Sequence, residues 1–321
     1  MSRRRARPRL RLSLALQGGG AFGAFTWGAL DRLLEEVGLE LDVVSGASAG
    51  AINAVLLASG LASGGRDEAR ANLERFWSAI ATRGMRKLFA ASELVVATTS
   101  QMSPYEFNPL DLNPLRASLL RGVDFAAVQR SPIRLLIAAT RVKDGAVRLF
   151  ETRSISLEVV LASACLPRLH HAVEIDGEPH WDGGYGANPP LLPVVAASHT
   201  PDVLLVSVIP TEHRDLPVTK SQIEMRLGQI TFNGPLQKEL ESIALMRKLI
   251  RQENGPTSGL GRKIERLRLH HLSAEDYVDG LSELSILSTD WDLLSHLRER
   301  GRTAAERWLS RAYEVRPQNR T

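Results

Sequence analysis

Residues 42–54 read Asp42-Val-Val-Ser-Gly46-Ala47-Ser48-Ala49-Gly50-Ala-Ile-Asn-Ala54. An apolar strand, a Gly-x-Ser-x-Gly turn and a helix of small residues follow one another here. The two glycines leave room for neighbouring backbone, so the Ser48 hydroxyl projects from the turn instead of packing into the sheet. The free amides at the start of the helix and its positive dipole end point at the same place. This layout is typical of a serine hydrolase nucleophile.

The composition is that of an ordinary globular protein with a basic start. The 321 residues are 44% hydrophobic and 24% charged, which suits one large α/β domain or two smaller ones. The formal net charge is +4, and arginine recurs in the first eleven residues. We interpret residues 1–11 as a basic, mobile tail. Peripheral contact with an anionic membrane surface is the alternative, and we expect no nucleic-acid binding.

Three further features point to a cytoplasmic protein. Cys165 is the one cysteine, so an internal disulfide is excluded, and this usage fits a reducing compartment. The apolar run over residues 12–16 is too short for a secretory signal. No stretch of the sequence approaches the roughly 18–20 apolar residues that span a bilayer.

Alternating strand and helix patterns predict an α/β fold with a mostly parallel central sheet covered on both faces. We expect a catalytic core over residues 12–210 and a mainly helical C-terminal extension over residues 211–321, packed on the core. Predicted strands lie at 12–16, 41–44, 133–140, 147–151, 173–175 and 203–209. Predicted helices lie at 21–37, from 48 onward, at 67–80 and at 156–165.

Three segments carry more specific expectations. Residues 99–116 contain three prolines and should form an irregular connection. The helix over 236–251 has an apolar face, which favours packing on the body over a lid or membrane contact. The final helix should begin with Thr289 and Asp292 as a capping box.

A second glycine motif, Gly18-Gly19-Gly20-Ala21-Phe22-Gly23, also joins a strand to a helix. Successive glycines free backbone amides to face an anion, so this loop and the amide of Ala49 could form an oxyanion hole. The same string fits a dinucleotide fingerprint through Gly18, Gly20 and Gly23. That site needs an acidic residue at the end of the second strand, whereas Asp42 precedes it.

Trp181-Asp182-Gly183-Gly184 supplies a carboxylate after a short strand. In isolation this is an ordinary turn. A serine hydroxyl needs a base to take its proton, however, and Asp182 can serve if folding brings it within hydrogen-bond reach of Ser48.

Histidine is the usual alternative base, but none lies in a glycine-rich loop of the expected kind. The pairs His170-His171 and His270-His271 lack a supporting carboxylate pattern, and neighbours on a strand point to opposite faces. We therefore expect surface or packing roles and no metal site. The histidines after Asp182 are His199, His213, His270, His271 and His296.

Together these blocks resemble the signature motifs of the patatin-like phospholipases. The matching blocks are the first glycine motif, Gly46-x-Ser48-x-Gly50 and Asp182-Gly183-Gly184. The stretch Ala162-Ser163-x-x-x-Pro167 also resembles the family's helix end before the third block, and Asn188-Pro189-Pro190 the segment after it. One motif alone is weak, but five in this order are specific, and they cover roughly residues 12–210.

The resemblance implies a three-layer α/β/α fold and lipid acyl hydrolysis by a Ser–Asp dyad without cofactor or metal. Ser48 would be the nucleophile and Asp182 the base, with Gly18, Gly19, Gly20 and Ala49 as the oxyanion hole. The remaining motif glycines are Gly23, Gly46, Gly50, Gly183 and Gly184. In one departure, Phe22 stands where many members carry arginine or lysine.

The sequence therefore favours a serine lipid acyl hydrolase of the phospholipase A, lysophospholipase or esterase type, with a lipid or acyl ester as its partner. A catalytically weak lipid-binding or regulatory protein of the same fold is an alternative. A dinucleotide-binding oxidoreductase is a more distant one.

Overall fold

Eight strands form one central sheet in the computed structural model, which describes residues 9–81, 102–212, 215–253, 255–278 and 286–314. The arginines at 3, 4, 5 and 7 lie outside these residues. The strand order is β5-β6-β3-β2-β1-β7-β8, and β4 also pairs with β3. Strands β3, β2, β1, β7 and β8 are parallel, whereas β4, β5 and β6 pair antiparallel. The strands are β1 Leu10–Leu16, β2 Leu39–Gly46, β3 Arg134–Arg141, β4 Val147–Glu151, β5 Val173–Ile175, β6 Glu178–Asp182, β7 Asp202–Ser207 and β8 Arg268–Ser273.

Twelve α-helices are found in the described part of the chain. Those up to residue 197 are α1 Gly23–Leu34, α2 Ala49–Ser63, α3 Gly65–Ala81, α4 Pro104–Phe107, α5 Pro114–Gly122, α6 Phe125–Gln129, α7 Leu157–Ser163 and α8 Leu191–Ala197. The later ones are α9 Lys220–Gln252, α10 Gly259–Arg266, α11 Glu275–Val278 and α12 Trp291–Glu314.

Side chains of the central strands alternate between two hydrophobic layers, as period-two strands require. In β1, Leu14 and Leu16 join the layer under α1, α2, α3, α7 and α12, whereas Ala15 faces the layer under α8, α9 and α10. In β7, Leu204 and Val206 face the first layer, and Val203 and Leu205 face the second. The sheet is thus covered on both faces, and the predicted three-layer α/β/α fold is confirmed.

Helix α9 shows which of the two interpretations of residues 236–251 fits the structure. Leu236 and Ile243 are buried in the second layer, and Leu240, Met246 and Ile250 pack against it. This apolar face therefore packs on the body, as the sequence favoured.

The C-terminal region departs from the prediction in two places. Residues 268–273 form β8, which pairs with all six residues of β7. Strand β8 was not among those predicted within the mainly helical extension. The sequence of this strand is Arg-Leu-His-His-Leu-Ser, in which polar and charged residues interrupt the alternation of apolar and polar side chains. The pattern therefore does not indicate a strand. The cap of α12 is Asp290, whose carboxylate accepts the Leu293 amide at 3.0 Å, so the prediction of Thr289 as the capping residue is wrong.

Residues 102–116 are also more regular than expected. Pro104 and Pro114 each occupy the first turn of a helix, capped by Ser103 and Asn113. Proline fits that position because its missing N–H would be unbonded there anyway.

Helix α12 lies directly against α1. Asp31 of α1 is buried and pairs with Arg70 at 2.7 Å, with Arg298 at 3.0 Å and with Arg302. Burial alone would raise the pKa of Asp31, but the Arg70 hydrogen bond and the three guanidinium charges hold it below its ordinary value. These contacts link the last helix to the first layer.

The α1–α12 contact also needs glycine on both helices. A Cβ atom on Gly28 would overlap the Arg298 carbonyl, and one on Gly301 would overlap the Phe25 carbonyl. The two backbones are therefore closer than any side chain allows.

We predict that Gly301→Ala lowers the free energy of unfolding by about 1–3 kcal/mol, because the added methyl forces the helices apart. Gly228→Ala is the matched control, since this glycine also lies inside a helix but has open space where its Cβ would be. For Gly228→Ala we expect the free energy of unfolding to rise by up to about 1 kcal/mol, because alanine has the higher helix propensity. Denaturant titration measures both, and equal effects would contradict the packing argument.

Candidate active site

Ser48 stands on a strained turn between β2 and α2. Its backbone has φ 53° and ψ −128°, a region that non-glycine residues rarely adopt. The Ser48 amide donates to the backbone and side-chain oxygens of Ser163, at 3.0 and 3.1 Å. Strain of this kind persists because the surrounding structure fixes the turn.

The flanking glycines are required by close backbone contacts. A Cβ on Gly50 would overlap the carbonyl of Leu16, and one on Gly46 would lie 2.6 Å from the Ala51 nitrogen. The turn after β2 thus sits tightly against the end of β1.

Asp182 ends β6 at the end of the sheet where β2 leads into the Ser48 turn. It lies opposite Ala139 in β3, and β3 pairs with β2 so that Ile137 lies opposite Gly46. The carboxyl group is fully buried. Two strand pairings therefore bring residues that are 134 positions apart in sequence to one place.

The two carboxylate oxygens of Asp182 have different surroundings. Oδ1 accepts the Gly184 amide at 2.7 Å. Oδ2 is buried and has no hydrogen-bond partner among the described residues. The Ser48 hydroxyl is close enough to influence the pKa of Asp182, but the two groups do not meet the geometry of a formed hydrogen bond. Such contacts are often loose in the absence of substrate.

Burial raises the pKa of the Asp182 carboxyl to about 7, even though the nearby Ser48 hydroxyl and the hydrogen bond from the Gly184 amide oppose the shift. Low dielectric disfavours the charged form of a carboxylic acid. A carboxylate with a pKa near neutrality is a much better proton acceptor than an exposed aspartate.

The first glycine motif lies beside Ser48. A Cβ on Gly18 would be 2.6 Å from the Cβ of Ser48, and Gly20 has a φ of +55°. A Cβ on Gly20 would overlap the Ile286 carbonyl. Side chains at these positions would push the two turns apart.

The amide of Gly18 is not free, contrary to the expectation for an oxyanion donor. It donates to Oδ1 of Asn188 at 2.7 Å, and Nδ2 of Asn188 donates back to the Gly18 carbonyl at 3.3 Å. Within the described residues, the amides of Gly19, Gly20 and Ala49 have no hydrogen-bond acceptor. Ala49 also begins α2, so the positive end of the helix dipole adds to the attraction of its amide for an anion.

The other motif positions serve packing. A Cβ on Gly23 would lie 2.8 Å from that of Ala49, and one on Gly183 would overlap the Ala138 carbonyl. A Cβ on Gly184 would be 2.5 Å from the Phe232 ring. Phe22 is buried in the first hydrophobic layer. The position where many family members carry arginine or lysine therefore contributes a core side chain here.

A cavity of about 110 Å³ opens beside Ser48. Its walls are mainly apolar, and among the described residues that line it none is Asp, Glu, Lys or Arg. The largest lining side chains are Ile52, Phe76, Trp77, Ile80, Leu115, Leu166, Leu169, His170, Ile286 and Leu287. Such walls suit a hydrocarbon chain better than a charged group.

In the described part of the chain, no histidine ring bonds to Ser48. His199 bonds Asp42 at 3.1 Å, His270 bonds Asp202 at 2.9 Å, and His271 bonds Ser207 at 2.6 Å. His296 is near Arg300, His171 stacks on Tyr105, and His213 lies outside the described residues. His170 lines the cavity, which the sequence did not indicate.

Three buried amide side chains also escaped the sequence analysis as members of the site. Gln17, Asn188 and Asn233 hold the glycine loop. Asn188 had been noted only for its resemblance to a family motif, and nothing local to Asn233 indicates its role.

A strained serine turn, a buried carboxylate and a glycine loop lie together at one end of the α/β sheet, and such an arrangement suits an ester hydrolase. The sequence model of the patatin-like phospholipase family matches residues 14–195, more than half of the chain. The chain belongs to this family, and the dinucleotide interpretation of its glycine motif loses its support. A comparison with curated proteins finds no matching sequence.

Three solved structures are similar at 15% sequence identity. VipD from Legionella pneumophila aligns over 95% of this chain and 67% of its own, with a TM-score of 0.49. ExoU in the ExoU–SpcU complex from Pseudomonas aeruginosa aligns over 97% and 53%, with a TM-score of 0.42. A further structure of the type III effector ExoU aligns over 96% of this chain and 54% of its own, with a TM-score of 0.37. The chain spans about half the length of ExoU.

None of the helices in the described ranges has both the length and the hydropathy to cross a membrane.

We predict that Asp182→Asn raises the melting temperature at about pH 8. The native pKa of about 7 lies above the ordinary 3.8, so the native state holds this proton more tightly than the unfolded chain does. The resulting stability is fully present below about pH 4 and is lost as pH rises to about 7. Asparagine stays neutral and keeps an oxygen for Gly184.

Thermal unfolding across this pH range measures the effect, and the difference between variant and wild type should vanish near pH 4. Asp144→Asn is the control with the opposite sign, because the Arg141 hydrogen bond lowers the pKa of Asp144 to about 2. A melting temperature unchanged by Asp182→Asn at every pH would contradict the buried carboxylate.

Proposed function

We propose that this protein is a serine lipid acyl hydrolase that cleaves carboxylic esters through an acyl-enzyme on Ser48. The observation that carries the proposal is the strained Ser48 turn beside the buried Asp182 carboxyl, whose Oδ2 is unbonded among the described residues. Family membership supports the same class of reaction.

In the first step, the Ser48 oxygen attacks the ester carbonyl as its proton passes to Asp182 Oδ2. The electron pair of the carbonyl π bond moves to its oxygen, and the amides of Gly19, Gly20 and Ala49 stabilise that negative charge. The tetrahedral intermediate collapses, the ester C–O bond breaks, and the alcohol leaves with the proton held by Asp182.

In the second step, water attacks the acyl-enzyme. Asp182 takes a proton from the water, and the same amides stabilise the second tetrahedral intermediate. Collapse then breaks the bond to Ser48, which recovers its proton, and the fatty acid is released.

The cavity suggests how substrate binds. The apolar walls around Phe76 and Trp77 would hold the acyl chain, and the alcohol part would remain outside. The described part of the lining is mainly apolar, so we expect the acyl chain to contribute much of the binding. A phospholipid, a lysolipid or a neutral ester could meet these requirements, at a cytoplasmic membrane surface or free in solution.

A catalytically weak lipid-binding protein is the second candidate. It is favoured by the unformed Ser48–Asp182 hydrogen bond and by the use of the Gly18 amide on Asn188. The experiments below separate it from an active hydrolase.

We predict that the wild type reacts rapidly with a fluorophosphonate and hydrolyses long-chain acyl esters. Ser48→Ala should abolish labelling and lower kcat by about four orders of magnitude. Ser45→Ala is the matched control, since it removes a buried hydroxyl three residues earlier, in β2. An unlabelled, inactive wild type would favour the lipid-binding candidate.

We also predict that kcat/KM for a neutral ester rises with pH through a midpoint near 7, because Asp182 must be deprotonated to accept the Ser48 proton. The pH–rate profile measures this midpoint. His170 also faces the cavity, and burial lowers its pKa, so His170→Gln is the control that should retain the midpoint. A midpoint that disappears in His170→Gln would reassign the titrating group.

A further inference from the structure

Three buried amide side chains hold the oxyanion loop by two hydrogen-bonded routes, one through Gln17 and Asn233 and the other through Asn188. Gln17 and Asn188 are fully buried, and Asn233 of α9 is 6% exposed. Gln17 immediately precedes Gly18, and Asn188 follows the Asp182 turn. Gln17 and Asn233 are thus 216 positions apart in the chain.

The contacts of Gln17 fix the direction of the route through Asn233. Its Oε1 accepts the amides of Val208 and Ile209 at 2.8 and 3.0 Å, so its side-chain nitrogen is the end left to donate. That nitrogen donates to Oδ1 of Asn233 at 2.8 Å. Nδ2 of Asn233 in turn donates to the Pro210 carbonyl at 2.7 Å. Both ends of the Asn233 amide are therefore used.

Asn188 connects the same helix to Gly18 by a second route. Its Nδ2 donates to the Phe232 carbonyl at 3.2 Å, while its Oδ1 accepts the Gly18 amide. The Phe232 ring packs 4.8 Å from the Tyr185 ring, next to the Asp182 turn. Residues 232 and 233 of α9 thus contact both segments that meet at Ser48.

The glycine loop needs such support. Three successive glycines have the greatest backbone freedom of any sequence, so their amides point at a forming oxyanion only when other groups hold them. Asparagine is a weak helix former, and its burial in the middle of a 33-residue helix is favourable only with its amide fully bonded.

We propose that Asn233 is a positioning residue for the oxyanion loop, so that α9, outside the segment matched by the family, completes the active site. The proposal rests on the function proposed above. Asn233 touches no reacting atom; it orients Gln17, and Gln17 orients the start of the glycine loop.

The test compares Asn233→Leu, which removes both hydrogen bonds, with Asn233→Asp, which keeps the shape and the acceptor for Gln17 but replaces the donor to Pro210. We expect kcat to fall at least about tenfold in each, with KM nearly unchanged, because the amides act mainly in the transition state. The fluorophosphonate labelling rate should fall in parallel. Gln237→Leu, one turn further along α9 and only partly buried, is the matched control and should retain both rates.

Hydrogen exchange of the backbone amides at residues 18–21 supplies a readout independent of catalysis. We expect faster exchange there in both Asn233 variants and no change in Gln237→Leu. If Asn233→Leu does not fold, Asn233→Asp decides alone. A lowered melting temperature with wild-type kcat and wild-type exchange would overturn the proposal and leave Asn233 a purely structural residue.

The two proposals fail in different ways. A wild type without Ser48-dependent hydrolysis contradicts the proposed function, and exchange at the glycine loop then still tests the positioning role. An active wild type whose Asn233 variants match it in kcat contradicts only the positioning role.

Discussion

The close approach of two backbone turns is the constraint on which the site depends. The turn after β1 and the turn after β2 touch so tightly that Gly18 has no room for a Cβ beside Ser48, and Gly50 has none beside Leu16. Main-chain donors can then reach the region around the serine hydroxyl without intervening side chains. The strained conformation of Ser48 is maintained by the same contacts and by Ser163, whose two oxygens hold its amide.

Much of this architecture follows from local sequence. Alternating apolar residues in Leu12–Leu16 and the glycine spacing around Ser48 predict strand, turn and helix correctly, because each depends on neighbours in the chain. The resemblance of these motifs to a family also predicts that the two glycine blocks and Asp182 lie close together. What the sequence did not show depends on long-range pairing: β8 forms only because β7 offers an edge, and Asn233 is buried only because Gln17 and Pro210 lie opposite.

The Gly18 amide illustrates the same limit. A run of three glycines indicates free donors, but the side chain that occupies one of them, Asn188, is 170 residues away. Only the folded chain distinguishes the bonded amide from those of Gly19 and Gly20. Similarly, an Asp-Gly-Gly turn is usually exposed, whereas here Asp182 is fully buried, and this burial raises the pKa of its carboxyl to about 7.

Strand β8 affects how an incomplete polypeptide would behave. Every residue of β7 is buried, and β8 covers the edge that β1 leaves open. A chain cut by a protease or halted during translation before residue 268 would present that apolar edge to other molecules, and unpaired edges of this kind promote sheet-to-sheet aggregation. Intact synthesis of the last sixth of the chain, from residue 268 onward, thus protects the rest from aggregation.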